Sequence, residues 1–251
     1  MPNISSTVKQ IFFVCLLLPL LSTSLSVHAV NPIKINTYTD YPPYLYQEQS
    51  RQTGLYIRII DLTFKAIAQP YSVQTLPFKR GLQRTVAGDG IMIAVLKTAE
   101  RQKTLDFSEP FYQERLSVYL RQAPMPKIKT LTKLKGLNIG TLLGWSYGAE
   151  FDQARANNYF FAHDSKLETN FYLLAKGRLD AVIHSELSAA YVIDKMGLNN
   201  KVVLASEPLA FGDIHLAVKK GTHKALLERI NQKLREPAHI NEIKRLIQSY
   251  H

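Results

Sequence analysis

The sequence predicts an α/β protein built as two lobes, each a mixed, mostly parallel sheet flanked by helices, with a ligand cleft between them. Three observations predict it. Strand-like and helix-like runs alternate from Ile33 onward, the signature of layered α/β architecture. Composition shifts across Ala123–Lys135, where two prolines and four lysines fall with little periodicity and read as a linker. Beyond it the strand–helix cycle restarts, and open α/β sheets bind ligands at the carboxyl ends of their strands.

Residues 30–121 are expected to form the first part of lobe one. Ile33–Thr37 alternates apolar and polar side chains and predicts a strand. Within Tyr56–Ala68, Ile57, Ile60, Phe64 and Ile67 recur at spacings of three and four and line one helical face. Tyr71–Leu76 predicts a second strand. Pro77 then favours the first turn of a helix through Leu82 and Val86, which Gly88-Asp89-Gly90 stops. Ile91–Leu96 is a continuous apolar run suited to a buried parallel strand, and Ser117–Leu120 resumes the β pattern.

Lobe two is expected over residues 122–212. Its strands are predicted at Leu137–Thr141, Tyr159–Ala162, Asp180–His184 and Val202–Ala205. Its helices are predicted from about Tyr147, along the face Leu167/Phe171/Leu174, and over Ser188–Met196. Residues 213–251 return to lobe one through a strand at Ile214–Val218. Two helices split by Pro237 close the chain, with apolar faces Leu226/Ile230/Leu234 and Ile240/Ile243/Ile247.

Residues 1–29 read as an address. Lys9 supplies a thin positive region, and the apolar run Ile11–Leu21 is far shorter than the ~20 residues of a membrane-spanning helix. Val27-His28-Ala29 ends in a small residue, so a secretory signal peptide cut after Ala29 is expected, which places the rest of the chain in the periplasm. The only cysteine, Cys15, lies inside that segment, so the remaining 222 residues make no disulfide and no cysteine metal site.

Net charge is +11, or +10 without Lys9, and such a surface favours anionic solutes. No Lys/Arg block with interleaved aromatics occurs, so nucleic acid is not an expected partner. The seven histidines at 28, 163, 184, 215, 223, 239 and 251 lack metal-ligand spacing. There is no phosphate-binding loop, dinucleotide fingerprint or Gly-x-Ser-x-Gly, and neither a metal nor a cofactor is expected. The chain is expected to act as a monomer.

The most informative stretch is Thr98-Ala99-Glu100-Arg101, followed by Asp106-Phe107-Ser108-Glu109-Pro110-Phe111-Tyr112. With it come Asp40-Tyr41-Pro42-Pro43-Tyr44, Pro77-Phe78-Lys79-Arg80, Leu134-Lys135-Gly136-Leu137, Gly144-Trp145-Ser146-Tyr147 and Gly177-Arg178-Leu179-Asp180. In this order and spacing they resemble the family 3 extracytoplasmic solute-binding proteins, the polar amino-acid receptors of ABC importers. The resemblance implies the type II periplasmic binding protein fold, a small polar, carboxylate-bearing ligand, closure about a hinge, and an inner-membrane permease as partner.

It also implies a site. Arg101 with Thr98 matches the family's carboxylate grip, for which a planar guanidinium is better suited than lysine. Tyr41 and Tyr44 match an aromatic wall around the ligand. Phe78 and Arg80 stand at a helix start, where free N–H groups favour anions. Gly144, Trp145 and Ser146 match the glycine-hydroxyl loop that meets the ligand on closure. Two positions depart from the family pattern. Leu96 replaces a hydroxyl residue, and Ser185 replaces the acid that neutralises an α-ammonium, so either Glu186 takes that role from one position later or the ligand has no ammonium in the usual place.

Two rival readings share this fold. One is a periplasmic enzyme similar to cyclohexadienyl dehydratases, with Glu186 or His184 as general acid. The other is a stand-alone ligand sensor. Sensors of this kind are often fused to a membrane helix and an effector, and neither is legible here.

Overall fold

The computed structural model describes residues 31–122, 128, 130–205 and 207–250. The expected signal peptide and part of the expected linker lie outside the described residues. Lobe one opens with β1 (Ile33–Thr37), a short hairpin of β2 (Tyr46–Glu48) and β3 (Arg51–Thr53), and α1 (Leu55–Ala66). It continues with β4 (Tyr71–Thr75), α2 (Phe78–Ala87), β5 (Ile91–Leu96), a 3-10 turn at Arg101–Lys103, and β6 (Leu105–Phe107). The long strand β7 (Tyr112–Arg121) leads out.

Lobe two contains β8 (Asn138–Thr141), α3 (Ala149–Ala156), β9 (Phe161–Asp164), α4 (Leu167–Ala175), β10 (Ala181–Ser185), α5 (Glu186–Lys195) and β11 (Val202–Leu204). A second long strand, β12 (Ala210–Lys219), leads back to α6 (Lys224–Arg235) and α7 (Pro237–Gln248). No helix among the described residues is long and apolar enough to cross a membrane.

The main sheet runs β4-β1-β5-β12-β7-β10-β8-β9, with β6 paired to β12 and β11 to β7. Pairing is parallel within β4-β1-β5 and within β10-β8-β9. The two crossing strands are antiparallel to each other and to their neighbours. They pair with one another over Ala210–Ile214 and Tyr112–Leu116. Further along, β12 joins β5 of lobe one and β7 joins β10 of lobe two. The sheet therefore passes through both lobes without a break.

The cores divide at these strands. One buried cluster draws on residues between Ile35 and Phe111 and between Ile214 and Ile243. Two more draw on residues between Leu116 and Ala205 and cover the two faces of the second sheet portion. Periodicity explains the helices that fill them. On α1, Leu55, Tyr56, Ile59, Ile60 and Phe64 are buried at spacings of three and four. Gly88 ends α2 in the left-handed conformation, where a glycine has no Cβ penalty.

Five strands depart from the sequence pattern. The hairpin β2–β3 and strand β6 are only three residues each, too short for alternation to register. The crossing strands begin at Tyr112 and Ala210, ahead of the predicted Ser117 and Ile214. Their early inward positions hold Glu114 and Gly212, which are buried but not apolar, so the alternation does not read as a strand.

One close approach fixes the loop after β1. The carbonyls of Pro43 and Tyr44 accept from the N–H groups of Leu55 and Tyr56 at 3.0 and 3.1 Å, satisfying donors at the start of α1. That contact is possible because Gly54 has φ +114° and no side chain: a Cβ there would lie 2.3 Å from the Tyr44 carbonyl oxygen. Gly54→Ala should therefore cost about 2 kcal/mol or more and lower the melting temperature by several degrees. A calorimetric melt equal to that of the unaltered protein would remove this constraint.

Candidate functional site

A cleft lies where the two lobes face each other across the crossing strands. Its walls include Tyr38, Phe78, Leu96 and Arg101 from lobe one, Trp145 and Ser146 from lobe two, and Glu114 and Gly212 from the crossing strands. The cavity left between them is about 30 Å³. That is room for a water or two.

Arg101 bridges the lobes. Thr98 caps the turn that carries it, its Oγ1 accepting from the Arg101 backbone N–H at 3.2 Å. The guanidinium donates to the Leu96 carbonyl at 2.7 Å and, across the cleft, to the Gly144 carbonyl at 3.4 Å. Its carbon lies 5.4 Å from the Phe78 ring centroid. Burial pushes its pKa down, with Tyr38 and Asp152 opposing. No carboxylate lies within ion-pair distance of it among the described residues.

Aromatic rings fill most of the space. Trp145, on the loop after β8, stands edge-on to Tyr38 and Tyr41, with centroids 5.8 and 4.6 Å away. It also meets Phe78 at 6.0 Å and His184 at 5.6 Å. Next to it, Ser146 donates a hydrogen bond to Asp152 in the first turn of α3.

The inner end is polar. Tyr41 is 1% exposed, and its hydroxyl donates to Glu114 Oε2 at 2.7 Å while sitting 2.9 Å from Ser185 Oγ, which donates to it. Tyr56 donates to Glu114 Oε1. Burial raises the Glu114 carboxyl to about 7, and these two hydroxyls oppose the rise. His184 is fully buried beside Tyr41, and neither ring nitrogen has a hydrogen-bond partner among the described residues. Burial holds its pKa down to about 3, so near pH 7 it is the neutral imidazole and lacks the acidic proton of an imidazolium.

The structure thus gathers Arg101, Tyr41, Phe78, Thr98, Gly144, Trp145, Ser146 and Ser185 in or beside one cleft. Three other predicted residues stand apart from the cavity. Tyr44 is buried against Tyr56, centroids 4.6 Å apart, because the Tyr41–Leu45 turn folds its ring towards α1. Arg80 is exposed, since two residues along a helix rotate it away from Phe78. Glu186 begins α5 and accepts from Arg115 at 2.7 Å and from Ser117 at 2.6 Å, which commits it to β7.

Sequence reading missed Tyr38, Glu114 and Gly212. Tyr112, Glu114 and Leu116 share one face of β7, but that face is known to be inward only once the pairing with β12 is known.

Comparisons with known proteins bear on the family and the fold. Residues 33–251 match the model of the bacterial extracellular solute-binding proteins, family 3. The L-cystine-binding protein TcyJ of Escherichia coli K12 is 24% identical over 200 residues, 78% of this chain and 73% of that protein. A histidine kinase sensor domain similar to periplasmic binding proteins superposes with a TM-score of 0.77 at 16% identity, covering 88% of this chain and 96% of its own. The substrate-binding protein of an amino acid ABC transporter gives 0.70 at 22%, covering 88% and 99%. Both structures share the type II periplasmic binding protein fold with this chain. The family match spans nearly every described residue, from β1 through α7, and on that ground the chain belongs to the bacterial extracellular solute-binding proteins, family 3.

Proposed function

We propose that the chain is a periplasmic receptor that captures a small, polar, carboxylate-bearing ligand of amino-acid type and delivers it to an ABC importer. Residues 1–29 would be removed on export, and lobe two (122–212) would rotate against lobe one (30–121 and 213–251) about the crossing strands. The observation that carries the reading is the setting of Arg101. A half-buried guanidinium, with no carboxylate partner among the described residues and reaching from one lobe to the other, is suited to hold an anion that touches both lobes. A ligand favours the closed state only through such differential contacts. The cystine-binding relative and the amino acid ABC transporter component support the ligand class and the permease.

A thermal-shift screen of amino acids, organic acids and polyamines on the mature protein tests this, with a carboxylate-bearing hit as the expected outcome. Arg101→Ala should then weaken calorimetric binding at least tenfold, about 1.4 kcal/mol, and Arg101→Lys should restore only part, lacking the bidentate fork. Unchanged affinity in Arg101→Ala would remove that residue from the site. Trp145→Ala should leave the ligand-free protein more open, read as a larger radius of gyration by small-angle scattering. An unchanged radius would mean that the indole does not hold the lobes together.

A further inference from the structure

The cleft offers a ligand an anion grip at one side, and a second polar end remains to be assigned. Glu114 is the one carboxylate among the residues that line the cavity. It is 4% exposed, and each of its oxygens accepts one tyrosine hydroxyl, which leaves each a further lone pair. Across the ladder it faces Gly212, where no side chain competes with the carboxyl for that side of the cleft. A Cβ on Gly212 would crowd Leu96 at 3.2 Å, so the position is kept clear by a packed neighbour. Through the Tyr41 hydroxyl, the carboxyl stands no more than two hydrogen-bond lengths from Ser185 at the end of β10.

We propose that Glu114, supported by the hydroxyls of Tyr41 and Ser185, is the counter-charge for an ammonium group of the ligand, which spans from Glu114 to Arg101. The assignment rests on the receptor reading above and narrows it to zwitterionic or amine-bearing carboxylates. The alternatives within reach are unsuited. Ser185 is neutral, Glu186 is bound to Arg115, and His184 is neutral with no charge to offer an ammonium.

The electrostatics give this a signature. A carboxyl with a pKa of about 7 is largely protonated at pH 6 and largely ionised at pH 8. An ammonium binds the ionised form, so binding expels the proton to solvent, and affinity rises with pH through that window. The groups facing Glu114 do not titrate there. They are the hydroxyls of Tyr41 and Tyr56, with Tyr38, Tyr44 and Tyr112 behind them, all pushed upward by burial. From lobe two come Ser185 and His184, and from the 3-10 turn comes the Arg101 guanidinium, which stays charged.

The test begins with calorimetry of the mature protein against the proteinogenic L-amino acids and L-cystine. For a binder, the expected affinity is about tenfold higher at pH 8 than at pH 6, with roughly half a proton or more released at pH 6.5 in buffers of different ionisation heat. The corresponding 2-hydroxy acid, which carries no cation, is expected to lose that pH dependence. Glu114→Gln should abolish the slope and the preference for the amine over the hydroxy analogue. Tyr41→Phe, by removing one donor to the carboxylate, should shift the midpoint to higher pH. If an amino acid binds with a flat pH profile and no proton release, Glu114 is not the counter-charge and the receptor reading stands. If no amino acid binds but an organic acid from the thermal-shift screen does, Glu114 is not the counter-charge and the receptor reading stands; if nothing in either set binds, both fall. Should Glu114→Gln fail to fold, proton release by the unaltered protein decides.

Discussion

One phenolic hydroxyl ties the two lobes to a strand that joins them. Tyr41 belongs to the core of lobe one, Ser185 closes a strand of lobe two, and Glu114 sits on the crossing strand β7. The Tyr41 hydroxyl lies within 2.9 Å of both polar partners. Its place depends in turn on the turn at Tyr41–Leu45, which is held against α1 by two backbone hydrogen bonds that only a glycine at position 54 permits. The chain of dependence runs from a missing Cβ to the position of a ring and then to the environment of a buried carboxyl. Moving that ring would leave Glu114 with one donor in place of two, and a buried acceptor stripped of a donor costs about 1–3 kcal/mol.

The cleft carries two ionisable groups of opposite sign, Arg101 and Glu114, and they are solvated in different ways. Arg101 is held by backbone carbonyls and an aromatic face, so its charge is spread over dipoles rather than cancelled. Glu114 is held by hydroxyls, which donate to the carboxylate while burial favours the neutral acid. A low local dielectric strengthens every interaction a ligand makes with either group and makes either one costly to leave uncompensated. Such an arrangement selects for complementary ends on the ligand as much as for its size.

Much of this was legible in the sequence. The strand–helix alternation and the apolar faces of α1 and α6 follow from periodicity, and the structure keeps them, with Ile243 buried on α7. Thr98 and Arg101 were legible as a pair through the family motif they match, and a short turn holds them together in the structure. Glu114 was not, because a charged residue inside a strand reads as a solvent-facing position until the partner strand is known. Its burial depends on Gly212, about a hundred residues away, and no local pattern links the two. Arg80 shows the converse: a helix start is visible in the sequence, whereas the direction each side chain takes from it is set by packing.

The aromatic packing across the cleft bears on how binding is driven. Trp145 meets Tyr38, Tyr41 and Phe78 on the opposite lobe, so closure buries apolar surface without any contribution from a ligand. The remaining cavity of about 30 Å³ is too small for a molecule carrying both a carboxylate and an amine. A ligand must therefore displace part of this aromatic contact, and only its surplus over the displaced packing counts as affinity. Charge is the term that supplies such a surplus, because rings cannot satisfy a half-buried guanidinium or a buried carboxylate as fully as an opposite charge can. On this account the aromatics set how far the lobes close, and the ionisable groups at the two sides of the cleft set what they close upon.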